Sequence, residues 1–193
     1  SSVISDAEKE LLQNVATDFG GGVQNLGNNP SMYGMSSFTL SVTFELNDLN
    51  SGHQKLLWNS GQYGIIVDND DLKVAIRTSS GKLDYITVPN TMDEAGWYDV
   101  QVVLDDESNE LSISVNGEVV RALPADGYEL TDSSAKDIYA GGTKEANMLN
   151  GRIADVTILD EAVDVSSHQS IYDRMYALDE LDSVNTINQA QQD

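Results

Sequence analysis

Between Phe38 and Leu46 the chain alternates without a break, Phe38, Leu40, Val42, Phe44 and Leu46 falling on one side and Thr39, Ser41, Thr43 and Glu45 on the other. A period of two in aromatic and β-branched residues predicts a strand with one buried face. The same period governs residues 96–120. Val100, Val102 and Leu104 share a face, 105–109 turn the chain, and Leu111, Ile113 and Val115 return along that face. Asn116-Gly117, a pair suited to tight hairpin turns, then reverses it again. Two successive reversals predict an antiparallel sheet. Further strands are expected over 55–59, 63–68, 72–78, 83–88, 137–140 and 151–159, separated by turn signals such as Asn59-Ser60-Gly61 and Ser79-Ser80-Gly81. Short strands at even spacing predict an all-β sandwich.

Helical signals are confined to the ends. Ser5 and Glu8 have capping-box spacing, and Ala7, Leu11, Leu12 and Val15 follow at helical intervals, which predicts a helix over about 6–17 ended by Gly20-Gly21-Gly22. Ser166 with Gln169 caps a second stretch, in which Ile171, Met175 and Leu178 form one apolar stripe. The expected organisation is a helical or linker segment at 1–22, one sandwich domain at 23–181, and a polar, disordered tail at 182–193.

At 193 residues the chain is long enough to bury roughly two-thirds of its unfolded surface without a staple. It has no cysteine, which excludes disulfides, thiolate metal sites and thiol nucleophiles while leaving the compartment open. Ten basic residues stand against 32 acidic ones, a formal charge of −22. Phosphate backbones and anionic lipid surfaces would be repelled, so neither nucleic acid nor a membrane surface is an expected partner. Two readings of this acidity stay open: solubility in a saline or calcium-rich medium, or several cation sites. No apolar run approaches the roughly 18 residues that span a bilayer, which argues against membrane insertion, and the first residues lack the basic and apolar parts of a signal peptide. The linker-like ends suggest one module of a longer secreted or surface polypeptide.

Three segments carry a family resemblance. Gly96-Trp97-Tyr98 runs to Asn109-Glu110-Leu111 and Val115-Asn116-Gly117-Glu118; Ile138-Tyr139-Ala140 ends in Gly141-Gly142; and Asn150-Gly151-Arg152 leads through Ile153 to Leu159 and on to Val163. In this order they resemble the concanavalin A-like, laminin-G-type jelly rolls of bacterial secreted proteins. The resemblance spans about residues 36–178 and implies two antiparallel sheets face to face, with Trp97 as a packing residue. It also implies a function among lectins, carbohydrate-binding modules, adhesin domains, glycan hydrolases and lyases, a range too wide for fold alone to narrow. In some jelly rolls an acidic side chain on the closing strand clamps calcium against the N-terminal segment. Asp155 and Asp18 are the matching candidates, although Ala154 stands where many relatives carry an aspartate.

The residues themselves suggest several chemistries. Sugar recognition needs an exposed ring to stack on a pyranose, with amides and carboxylates for its hydroxyls. Trp58, Tyr63 and Tyr85 follow polar loops, Asn59 and Gln62 lie beside them in sequence, and Tyr33 is a second-rank contact. Tyr172 and Tyr176, four apart, are expected to cover the sheet or a neighbouring module. Asp68, Asp70 and Asp71, with Asn69, offer oxygen ligands for one calcium ion, yet the same residues suit an ordinary turn. No E-x-D-x-E strand appears for glycan hydrolysis, and His53 and His168 have no triad or zinc neighbours in sequence. The expectation is a non-catalytic carbohydrate-binding or adhesion module at the cell surface or outside it. Its partner would be a glycan or surface polysaccharide, or neighbouring modules, and calcium is a candidate cofactor. A structural or protein-interaction domain of a large adhesin is the alternative from another class, and a glycan-active hydrolase or lyase a third.

Overall fold

The computed structural model describes residues 17–18, 23–28, 34–131, 136–143, 147–162 and 183–186. Every regular element among them is a strand: β1 (Thr17–Asp18), β2 (Gln24–Gly27), β3 (Phe38–Leu46), β4 (His53–Asn59), β5 (Tyr63–Asp68), β6 (Asp71–Arg77), β7 (Leu83–Val88), β8 (Gly96–Asp105), β9 (Glu110–Val115), β10 (Glu118–Pro124), β11 (Ile138–Ala140), β12 (Gly151–Leu159) and β13 (Ser183–Thr186). Pairings are antiparallel throughout. One sheet has seven strands in the order β1-β12-β3-β8-β9-β10, with β13 also on β12; the other has six, in the order β2-β11-β4-β5-β6-β7. This is the expected jelly-roll sandwich.

Each interior wall comes from one phase of the alternation. Phe38, Leu40, Val42, Phe44 and Leu46 of β3 share a core with Val100, Val102 and Leu104 of β8 and with Ile153, Val156 and Ile158 of β12. Opposite them stand Leu57, Tyr63, Ile65, Val67, Val74, Ile76 and Ile138 of the six-stranded sheet. Each large apolar side chain buried there contributes about 1.5–3 kcal/mol relative to exposure. The Asn116-Gly117 turn holds both residues at positive φ, 51° and 83°, as a two-residue turn between right-twisted strands requires. The segment after β10 is tied to the six-stranded sheet by the Tyr128 hydroxyl donating to Asp84 Oδ2 at 2.7 Å and by an isolated bridge between Thr78 and Tyr128.

The outward face of the seven-stranded sheet is polar and nonetheless buried. Thr43 Oγ1 donates to Asp99 Oδ1 at 2.8 Å, Gln101 Nε2 to Asp99 Oδ2 at 3.2 Å, and Thr157 Oγ1 to Asp155 Oδ2 at 2.6 Å. Trp97 is buried, as its expected packing role requires, but on this outward face. In register it faces Glu45, whereas the core side of β8 is carried by Tyr98 and the valines after it. The Arg152 guanidinium lies 5.4 Å from its ring centroid and pairs with Glu45 at 2.7 Å.

The expected helix over 6–17 lies outside the described residues up to its end, where Thr17 instead pairs with Ile153 as part of β1. The expected helix after Ser166, with His168, Tyr172 and Tyr176, lies wholly outside them. Within the expected polar tail, Ser183–Thr186 forms β13 against Thr157, Ile158 and Leu159. Ser183–Thr186 holds a single apolar residue, Val184, too little periodicity to signal a strand by itself.

Candidate functional site

The outward face of the six-stranded sheet is where the chain shows aromatic rings and cations to solvent. Strand register sets one row across it: Asn25, Tyr139, Trp58, Gly64, Ala75 and Tyr85 are successive neighbours on β2, β11, β4, β5, β6 and β7. The adjacent row runs Lys55, Ile66, Lys73 and Thr87. On the far side of the aromatic row, Arg77 pairs with Leu83.

Trp58 lies flat on the sheet because Gly64 leaves room for it. A Cβ at Gly64 would stand 2.3 Å from Trp58 Cε3 and 2.6 Å from Cζ3. The indole packs with Ile66, Ala75 and Leu83 into a small apolar cluster separate from the main core, and only 9% of Trp58 is exposed. Lys55 closes over it, its Nζ 3.8 Å from the ring centroid. Burial lowers the pKa of that ammonium below the ordinary lysine value. Tyr85, on edge strand β7, is 52% exposed and is the ring most open to solvent on this face.

The acids of the same face are already engaged. Asp68 Oδ2 accepts from Lys73 Nζ at 2.7 Å and lies 3.1 Å from His53 Nε2. The Lys73 hydrogen bond leads in holding the Asp68 carboxyl below the usual carboxylate range, with the nearby His53 charge acting in the same sense. Asp71 Oδ1 accepts from the Asn90 amide at 3.0 Å. Lys55 and Arg77 thus share an aromatic face with acids that are paired elsewhere, on a strongly acidic protein.

Residues 19–167 match the family model described as the concanavalin A-like lectin/glucanases superfamily. The chain belongs to that superfamily. Among solved structures it is similar to the CBM40 module of a Ruminococcus gnavus intramolecular trans-sialidase solved bound to α2,6-sialyllactose, at 15% identity and TM-score 0.56, covering 72% of this chain and 88% of that one. A putative carbohydrate-binding protein from Bacteroides ovatus is similar at 19% identity and TM-score 0.60, over 74% of this chain and 42% of that one. A NanB sialidase from Streptococcus pneumoniae is similar at 16% identity and TM-score 0.63, over 77% of this chain and 26% of that one. No curated protein matches the chain. At these identities the likeness establishes the fold.

On this concanavalin A-like scaffold the residues expected to bind a ligand are divided by the sheet. Trp58 and Tyr85 face outward together. Asn59 and Tyr63, their neighbours in sequence, are fully buried on the inner side, Tyr63 stacking on Phe38 with centroids 6.4 Å apart. Gln62 is 3% exposed, and its Oε1 accepts from the Thr131 amide at 3.1 Å, fastening the hairpin to a loop. These three do not reach a surface ligand: strand alternation turns Asn59 and Tyr63 inward, and Gln62 is held in the turn by Thr131. Tyr33 lies outside the described residues. Lys55, Lys73 and Tyr139 share this face and were not among the expected residues: the phase of Lys55 with Trp58 runs across a bulge between Lys55 and Leu57, and Lys73 and Tyr139 reach the face from other strands through register alone.

The candidate calcium ligands are likewise dispersed. Asp68 is engaged with the Lys73 ammonium, which would repel a metal ion, and with His53, and the β5–β6 turn is held by Asn69 Oδ1 accepting from the Gly52 amide at 3.1 Å. Asp70 contributes its carbonyl to the Met92 amide at 3.0 Å. Asp155 was expected to meet solvent, yet it is buried beside Thr157, since the outward face of the seven-stranded sheet is itself covered. Asp18 stands in register with Arg152, and Asp155 with Thr43. Among the described residues no three His, Cys, Asp or Glu side chains form a group able to hold a metal. No described helix is long and apolar enough to cross a membrane.

Proposed function

We propose that this protein is a non-catalytic carbohydrate-binding module of a larger secreted or surface polypeptide, and that it binds glycan on the outward face of the six-stranded sheet. The observation that carries this reading is the row of Tyr139, Trp58 and Tyr85 across one face, with Tyr85 open to solvent and Lys55 above the indole. Tyr85 supplies the apolar area for a pyranose ring, and Lys55 and Lys73 supply donors for its oxygens. Trp58 is the floor of the site. Its packing fixes where Lys55 and the sheet surface sit, and its own ring becomes accessible where Lys55 swings aside. Support from outside the chain comes from neighbours with this fold, among them the Ruminococcus gnavus module solved with an oligosaccharide.

The test is a glycan array followed by calorimetry on the best ligand, with Tyr85→Ala as the variant. Loss of one stacking ring should cost about 1–2 kcal/mol, or roughly five- to thirtyfold in affinity. An array blank with and without calcium would remove the reading and favour a structural or protein-interaction role in an adhesin. New reducing ends after incubation with a bound polysaccharide would replace it with a glycan-active enzyme.

A further inference from the structure

We infer that the sugar taken by this face is anionic, bearing a carboxylate or a sulfate, and that Lys55 and Arg77 are the groups that recognise its charge. The inference rests on the glycan-binding reading above and deepens it.

Its basis is how the chain uses its few cations. With ten basic residues among 32 acidic ones, a cation can readily find a carboxylate, and others in the fold do so. Arg152 pairs with Glu45, and Lys73 with Asp68. Lys55 and Arg77 do not; among the described residues Lys82 and Arg121 also lack a carboxylate, but Lys82 stands in the turn before β7 and Arg121 on β10 of the other sheet. The Lys55 ammonium faces the Trp58 ring, and Arg77 makes one long bond, Nη1 to the Gly81 carbonyl at 3.5 Å. Both project from the same sheet face, on either side of the row that holds Trp58 and Tyr85. Asp68 and Asp71 on that face are committed to Lys73, His53 and the Asn90 amide, and Glu129, whose amide donates to the Arg77 carbonyl at 3.0 Å, forms no ion pair with the Arg77 guanidinium.

Position and chemistry fit an acidic oligosaccharide. Lys55 and Arg77 are two strands apart and about four residues apart along the sheet, which places their backbones roughly 16 Å from each other by strand spacing and rise. Their long side chains can approach a ligand of two or three sugars lying across Tyr85. Arg77 keeps most of its planar donor fork for a carboxylate or sulfate. Lys55 is partly desolvated, which strengthens its attraction to an anion over what a fully hydrated ammonium would give. The chain's formal charge of −22 opposes the approach of an anionic ligand, so the cations on this face also give direction to the encounter.

The experiment is calorimetry with α2,3-sialyllactose, a sulfated lactose and lactose itself, on wild type and on Lys55→Met and Arg77→Met. Methionine keeps the aliphatic cover without the charge, and melting curves confirm that both variants fold. The expected result is at least tenfold tighter binding of one acidic probe than of lactose. That advantage should fall about tenfold in each variant and shrink as salt rises from 0.05 to 0.5 M. The two acidic probes separate carboxylate from sulfate recognition. Equal affinity for lactose and both acidic probes, with Tyr85→Ala still weakening all of them, overturns the charge inference and leaves the glycan face standing. No binding of any glycan in the array removes both.

Discussion

Replacing Gly64 with alanine tests the arrangement on which the candidate site depends. Gly64 is not at positive φ, so alanine suits its backbone, and the unfolded chain alone would favour the variant by about 0.5–1 kcal/mol. The added methyl would, however, fall 2.3 Å from Trp58 Cε3, where carbon atoms normally approach to about 3.5–4 Å. The indole must therefore lift by more than about 1 Å, out of its contact with Ile66 and Ala75 and into Lys55. Overpacking of this kind costs about 1–3 kcal/mol, which leaves a net change from about zero to a loss of about 2.5 kcal/mol and a melting point lower by up to about 10 °C for a domain of this size. The sign should reverse once the ring is gone: in a Trp58→Ala background, Gly64→Ala should be neutral or slightly stabilising. Urea unfolding followed by circular dichroism on the four members of this cycle gives the coupling, expected at about 2 kcal/mol. An additive cycle would refute the flat placement of Trp58 and with it the geometry of the candidate face.

Trp97→Ala should cost roughly 3–5 kcal/mol of stability in the same urea assay, because a buried indole on the seven-stranded sheet is lost; a change under 1 kcal/mol would mean that the ring is not buried. The Tyr128 phenol is pushed up to about 12, chiefly by burial and then by its bond to Asp84, so the stability it contributes is complete below pH 10 and is lost as pH rises toward 12. Melting curves of Tyr128→Phe and wild type should converge across that window, and parallel curves would count against the Tyr128–Asp84 bond. Asp68 titrates below its ordinary value, so its contribution is present above about pH 4 and disappears as pH falls through its folded pKa. Asp68→Asn should therefore lower the melting point modestly at pH 7 and not at pH 2, the loss being at most about 1 kcal/mol for a partly exposed pair. For calcium, melting with EDTA and with an excess of the ion decides: saturation at a hundred times the dissociation constant adds about 2.7 kcal/mol, and an unmoved curve excludes a tight site.

The sandwich was legible because its inner walls obey one rule. From Phe38 to Leu46 and from Val100 to Val115, period two named the core side chains, and the structure places them in one cluster. The candidate face was harder to read for a reason rooted in the same rule. Proximity in sequence suggested that Asn59, Gln62 and Tyr63 would assist Trp58, but alternation turns Asn59 and Tyr63 inward, and the hairpin uses Gln62 to hold Thr131. The partners of Trp58 come instead from register: Gly64 and Tyr139 lie directly beside it and Tyr85 two strands further on, 6 to 81 residues away in the chain. Register is set by long-range pairing and turn geometry, which a local pattern does not contain. The two free cations follow the same logic. As sequence, Lys55 and Arg77 are solvated charges 22 positions apart in an acidic chain; as neighbours flanking one aromatic row, they are positive charge that the protein has left unneutralised where a ligand can reach it.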